Sequence, residues 1–306
     1  MLSAGRQSIY ASLALVITAL FSSADSAPGC IWITGTTKHG EWVRVSGFSP
    51  AKRLRHSIET NLGRRGAEMH AVLSGDPEFG KRNDDAVALI FLGRAAEAVE
   101  VLNKLESERP GEYFIAANLG TAYELAGNNQ EALRWIKEGI RRNPDSHEGT
   151  EWLHAKILEA KIEADKDPSY FTRSSVLQLQ NVKMSSRSNE VFLAGEKRRV
   201  RDIERALQYQ LEERFQFVKQ ADPAVASLLY DYAVIERQAG VLEFARDLAR
   251  MAAEFGCPAQ KVQPLIAVLN WTIRVAFIAH ILGYALIGAL IVALVARARR
   301  RHRAWA

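Results

Sequence analysis

The sequence predicts an all-α solenoid of helical hairpins, with a small N-terminal β-hairpin and one C-terminal transmembrane helix. Three observations carry that prediction: residue types recurring at a 34-residue interval, an uninterrupted apolar run of 22 residues near the C-terminus, and two short β-prone runs after residue 30. The chain has 306 residues, 48% hydrophobic and 25% charged, which is ordinary for a folded protein.

The N-terminus opens on a shorter apolar run, Ile9 to Phe21, preceded by Arg6 and followed by small residues. Thirteen residues are too few to cross a hydrocarbon core of about 30 Å but suit the apolar segment of a secretory signal. Residues 1–26 therefore read as a signal peptide cleaved between Ala24 and Cys30, with an uncleaved anchor as the rival. The Ala-Pro-Gly before Cys30 lacks the leucine-like residue that lipid-modified cysteines favour.

Residues 30–48 hold two β-prone runs, Ile31 to Thr34 and Trp42 to Val45, around a Gly-containing polar turn, the pattern of a small hairpin. Residues 51–74 form a helical lead-in, and from there to Gly256 no strand is expected. The two cysteines, Cys30 and Cys257, are too few for a disulfide framework or a thiolate zinc site. One bridge between them and two unpaired thiols both remain open.

The 34-residue interval relates Leu89 to Tyr123, Gly93 to Gly127, Ala98 to Ala132, Leu102 to Ile136 and Pro110 to Pro144. The second copy carries Leu119, Gly120, Tyr123, Ala132 and Pro144 at the offsets of the tetratricopeptide repeat (TPR), with Ala116 in place of its Trp and Ile136 in place of its Phe. The chain thus resembles a TPR protein. In each unit a helix with apolar residues at spacings of 3 and 4 ends on a glycine, and a second helix follows with alanine at the crossing point. Neither helix buries its apolar face alone, so stability requires stacked pairs.

Repeat pairs and a following helix are expected over 79–164. Asp145 and Glu148 are expected as a capping box for a helix from Ser146 to Ala164. A polar insertion follows at 165–195. A long amphipathic helix from Glu196 to Lys219 and a degenerate third pair complete 196–257. That third pair begins at Asp222-Pro223 and has Glu236 where the repeat has its Tyr. GTEWLHAKILEAKI and LEERFQFVKQADPAVASLLYDYA are similar to runs in bacterial membrane-anchored TPR proteins, a resemblance over roughly residues 80 to 255 that implies the architecture and leaves function open.

Val275 to Ala296 spans 22 residues, about 33 Å of helix, enough to cross a bilayer with some tilt. The tail 297–306 follows with five arginines and no acid, the mark of a cytoplasmic end. Removing those five from the 40 Lys plus Arg leaves 35 against 35 acids, so the body is balanced and nucleic-acid binding is not expected. The expected topology is a single pass through a bacterial cytoplasmic membrane, with the body outside. Ala285, Ala289 and Ala293 form a small-residue stripe that would permit self-association through the span. His280 is its one ionisable side chain; it lies near the outer end, within hydrogen-bonding reach of Tyr284 four residues on, and reads as a tolerated histidine facing a partner helix or the interface.

No His-Glu-x-x-His, Gly-x-Ser-x-Gly or phosphate-binding Gly loop occurs, and no cofactor or enzyme activity is expected. Glu151 and His154 share a helix face as in di-iron bundles, but a second Glu-x-x-His is missing, so they read as a surface glutamate and a partly buried histidine. TPR grooves bind partner peptides, and some grip a C-terminal carboxylate with basic and Asn side chains. The matching positions here are Asn83, Val87, Asn118, Glu148 and Trp152, and only Asn118 keeps the expected type. Phe114, Ala117, Thr121 and Glu124 complete a mildly apolar groove suited to a segment of a protein partner. The expected function is a membrane-tethered, exported interaction scaffold, with an accessory subunit of a membrane-bound enzyme or transport complex as the alternative.

Overall fold

The structure is a computed structural model that describes residues 32–46, 49–60, 77–179, 190–193, 196–218 and 221–304. The expected signal peptide, Cys30 and residues 61–74 of the 51–74 lead-in lie outside these residues. The chain divides into two compact units. One comprises residues 1–34 and 44–47, of which only the outer parts of two strands are described; the other, 35–43 and 48–306, holds everything else.

Strands β1 (Trp32–Thr36) and β2 (Trp42–Ser46) pair across the expected turn. Helix α1 (Pro50–Thr60) follows, and then α2 (Pro77–Phe91), α3 (Ala95–Glu108), α4 (Tyr113–Leu125) and α5 (Asn129–Arg142). Helix α1 packs on later helices of the chain, whereas from α2 to α5 each helix packs on the next across a turn of only a few residues, so neighbours run antiparallel. The 34-residue interval recurs in the backbone. Gly93 (φ +75°) and Gly127 (φ +85°) end α2 and α4 in the left-handed region that glycine occupies without a Cβ penalty. Behind each, the same bond closes the helix: Arg94 N to Leu89 O and Asn128 N to Tyr123 O, both 2.9 Å. Ala98 and Ala132, at matching places, are fully buried. Gly120 brings α4 and α5 together, because a Cβ there would stand 2.4 Å from Ile136 Cδ1.

After Pro144 the helix expected from Ser146 to Ala164 is interrupted. A single turn, α6 (Ser146–Gly149), precedes α7 (Glu151–Lys166), and His147 and Glu148 take left-handed φ values of 49° and 58°. The Asp145/Glu148 capping box is therefore not formed, since Glu148 points out of a non-helical turn and the Asp145 side chain caps nothing.

The expectation of no strand before Gly256 is also corrected. After the short α8 (Tyr170–Arg173), β3 (Glu190–Leu193) pairs antiparallel with β4 (Glu196–Arg199). Strand β4 takes the residues expected to begin the long helix, so α9 runs from Val200 to Arg214. Val191 and Leu193 are buried, and this tertiary burial decides the strand conformation over local propensity.

The third pair is α10 (Pro223–Ala239) and α11 (Leu242–Glu254). Asp222 caps α10 by accepting from Val225 N at 2.8 Å. Glu236 is buried and accepts from Val241 N at 3.0 Å, at the entry to α11. Its carboxylate sits where a Cβ on Gly240 would be, so the glycine at this turn serves close approach; its φ is −120°.

One core links α7, α9, α10 and α11 around Leu153, Leu207, Leu228 and Leu248, and a second links α2, α3 and α4 around Phe79, Leu102 and Leu119. The final helix α12 (Ala259–Ala304) packs on α11 and buries Val262, Leu265 and Leu269 in the first of these cores. It then continues unbroken as a stretch long and apolar enough to cross a membrane, with Phe277, Ile278, Leu282, Leu286 and Leu290 exposed. Buried Cys257 carries a free thiol.

Candidate functional site

The predicted groove positions lie on α2 and α4. Asn83, Phe114, Ala117 and Glu124 are buried, while Val87, Asn118 and Thr121 are partly exposed. Asn118 does not face open solvent with free donors: its Nδ2 donates to Asn83 Oδ1 at 2.8 Å, tying α4 to α2. Phe114 meets Phe79 edge-on with ring centroids 6.4 Å apart, as a core aromatic pair does. Thr121 and Glu124 border a cavity of about 220 Å³.

The far wall of that cavity comes from α7, α9 and the segments flanking α10. Helix α9 ends against the α4 face, with Arg214 Nη1 3.0 Å from Glu124 Oε1. Phe217, just beyond α9, stacks on Phe91 at the end of α2, with centroids 5.1 Å apart. The chain's own segment thus covers this part of the α2–α4 face.

Glu124 is 8% exposed and gathers three cationic side chains from two helices. Besides Arg214, Lys161 Nζ donates to Oε1 at 2.9 Å, and His154 Nε2 lies 2.8 Å from Oε2. The other His154 nitrogen, Nδ1, is 3.5 Å from Glu151 Oε2, and His147 Nδ1 bonds the remaining Glu151 oxygen. An imidazole facing carboxylates through both nitrogens is matched by the protonated ring, in which both are donors. Burial works against that charge, but Glu124 and Glu151 outweigh it and raise the His154 pKa. Burial likewise works to raise Glu124, yet Arg214, His154 and Lys161 hold it well below the usual carboxylate range. Glu151, for the same reasons and through both histidines, is also held low.

The reading of Glu151 as a surface glutamate is corrected here: it is 4% exposed. The left-handed turn at His147 and Glu148 is what allows His147, at the rim, to fold back on Glu151. Two consecutive non-glycine residues in that conformation persist only where the surroundings over-determine them. Among the described residues, no group of three or more His, Cys, Asp and Glu is disposed to hold a metal ion. The arrangement is an electrostatic clasp in which alternating carboxylates and cations pair off without a free nucleophile.

A wider recess of about 790 Å³ opens between α5, α7, the 176–178 turn and β4. Ile140, Trp152 and Tyr170 supply its apolar wall and Lys137, Lys156 and Glu159 its polar edge. Arg198 lies 4.0 Å over the Trp152 ring. Of these residues, Trp152 alone was marked by the repeat pattern; Arg198 comes from the β3–β4 hairpin, which periodicity does not register. No protein-family model matches the chain, and no curated protein sequence matches it.

Proposed function

We propose that the chain is a membrane-tethered scaffold of TPR-type helical pairs, non-catalytic, which holds a segment of a protein partner beside a bacterial cytoplasmic membrane. The body lies on the outer side and the five-arginine tail inside. The observation that carries this reading is the continuity of α12: Leu265 and Leu269 are packed in the body, and the same helix runs on into 22 apolar residues, Val275 to Ala296. A rigid joint of this kind holds the stacked pairs at a set height above the bilayer. Support for the holding role comes from the recess beside Trp152, which has the apolar wall and charged rim of a peptide groove. The α2–α4 face is a lesser candidate, because α9 and Phe217 already cover its Thr121–Glu124 end.

The accessory-subunit alternative places recognition in the membrane segment instead. A pull-down from detergent extracts separates the two. The full chain and a chain ending at Arg274 are expected to capture the same partners, and Trp152→Ala to weaken that capture in both. Loss of all association on removing the span would overturn the scaffold reading in favour of the subunit.

A further inference from the structure

The turn between β1 and β2 lies against the start of the apolar part of α12. Thr36 ties it to the body, donating from its backbone N and from Oγ1 to the two Glu243 carboxylate oxygens, 2.8 Å each. A Cβ on Gly40 would be 3.6 Å from the Ala276 methyl, and Ala276 is buried while its neighbours on α12 are exposed. The Trp42 ring stacks on His280, with centroids 4.3 Å apart and planes 7° from parallel. Phe277 and Tyr284 lie 6.4 and 6.2 Å from the same ring. Trp42, Phe277 and Tyr284 are all exposed on their outer sides.

Height along α12 follows from the helix rise. Counting back from Arg297, where the basic tail begins, about 20 residues at about 1.5 Å each span a hydrocarbon core of about 30 Å and reach Phe277. Trp42, level with His280, therefore stands about 5 Å inside the outer edge of that core when the helix is upright, and deeper when it tilts.

We propose that the β1–β2 turn is a second membrane-contacting element, with the Trp42 ring seated in the outer leaflet where headgroups meet acyl chains. This rests on the reading that α12 spans the bilayer. The occupant of the exposed aromatic surface is lipid, because exposed rings from two separate elements sit at one level, as interfacial belts do. An indole suits that depth, having a large apolar body and one N–H donor. The arrangement also accounts for His280. Its Nδ1 donates to Ala276 O at 2.7 Å, and Trp42 covers one face of the ring, so a polar side chain at this depth is largely withdrawn from hydrocarbon.

The test is tryptophan fluorescence of the full chain in phosphatidylcholine–phosphatidylglycerol vesicles carrying bromine either high or low on the acyl chains. Subtracting the Trp42→Phe signal from that of the unmodified chain isolates Trp42, and circular dichroism checks that the variant keeps its helix content. The Trp42 component is expected to be quenched about two-fold more by the shallow bromine than by the deep one, and to resist aqueous iodide. A Trp42 component that iodide quenches, or that neither bromine reaches, overturns the inference while the tether stands. A full chain that fails to float with vesicles overturns the tether, and this inference with it.

Discussion

Glu124 Oε2 and His154 Nε2 lie 2.8 Å apart, and both side chains are less than one tenth exposed. They belong to α4 and α7, with α5 and the single turn α6 between them in sequence, so this contact locks one helical pair to the next. Arg214 completes it from α9, 90 residues along the chain.

The pH dependence of stability follows with a definite sign. Glu124 has a folded pKa below its ordinary 4.5, so its contribution is present above that value and is lost as pH falls below it. His154 has a folded pKa above 6.5, so its contribution is complete below that value and is lost as pH rises through the folded pKa. The clasp is therefore strongest between these two reference values. Urea midpoints of the detergent-solubilised chain are expected to peak at about pH 5 to 6 and to decline on either side. Glu124→Gln removes the central anion and leaves Arg214 and His154 facing a neutral amide; a loss of about 3 kcal/mol near pH 6 is expected. An unchanged midpoint in this variant would show that the buried cations find other partners.

Gly120 illustrates packing by close approach. A Cβ at this position stands 2.4 and 2.5 Å from two Ile136 side-chain atoms and 3.3 Å from the Ile136 backbone N. Gly120→Ala is expected to destabilise by about 1–3 kcal/mol despite alanine's better helix propensity. In the double variant Gly120→Ala, Ile136→Val, thermal unfolding should recover part of that loss. A double variant no better than the single would place the strain elsewhere.

These cases mark what was legible in the sequence. Gly120, Gly127, Ala132 and Pro144 were legible because helix packing imposes residue size at fixed offsets, and the same offsets reappear 34 residues earlier. The apolar stretch of α12 was legible because an uninterrupted apolar run long enough to cross a bilayer stands out from composition and length alone. Arg214 was not, since a surface-type residue 90 positions away obeys no period and acquires its role only when α9 folds over α4. The β3–β4 hairpin escaped notice for a related reason. Glu196–Arg199 reads EKRR with no alternation, and its strand conformation follows from pairing with Val191 and Leu193. His280 has Tyr284 within reach by spacing alone, yet its Nδ1 bonds the Ala276 carbonyl while its ring stacks on Trp42, a residue over 230 positions away that no local pattern points to.

The entry to α10 carries a local prediction. Asp222 Oδ1 accepts from Val225 N at 2.8 Å, satisfying one of the donors that a helix start leaves unpaired. Asp222→Ala is expected to cost about 1 kcal/mol, and Asp222→Ser to restore most of it. Hydrogen exchange at the first turn of α10 would report the change locally. Equal protection in all three chains would mean that the cap contributes nothing beyond Pro223.

Asp231 makes the opposite pH argument from Glu124. It is fully buried on α10, one oxygen accepting from Leu177 N at 2.9 Å, while Ser227 one turn earlier accepts from Val176 N at 3.0 Å. Together they grip the backbone of the 175–178 turn. Among the described residues Oδ1 has no hydrogen-bond partner, and burial pushes the Asp231 pKa up to about 6, against the bond from Leu177 and the nearby Lys261 charge. With the folded pKa above the ordinary 3.8, the native state takes up a proton more readily than the unfolded chain. Stability from this residue therefore falls as pH rises from about 4 to 6 and stays low above. Asp231→Asn keeps an acceptor for Leu177 N and removes the buried charge. The variant is expected to match the unmodified chain at about pH 4 and to exceed it by about 1–2 kcal/mol at about pH 8, read from urea midpoints at the two values. A variant destabilised equally at both would show that the carboxylate is held in place for its hydrogen bonds, with its charge well compensated by Lys261.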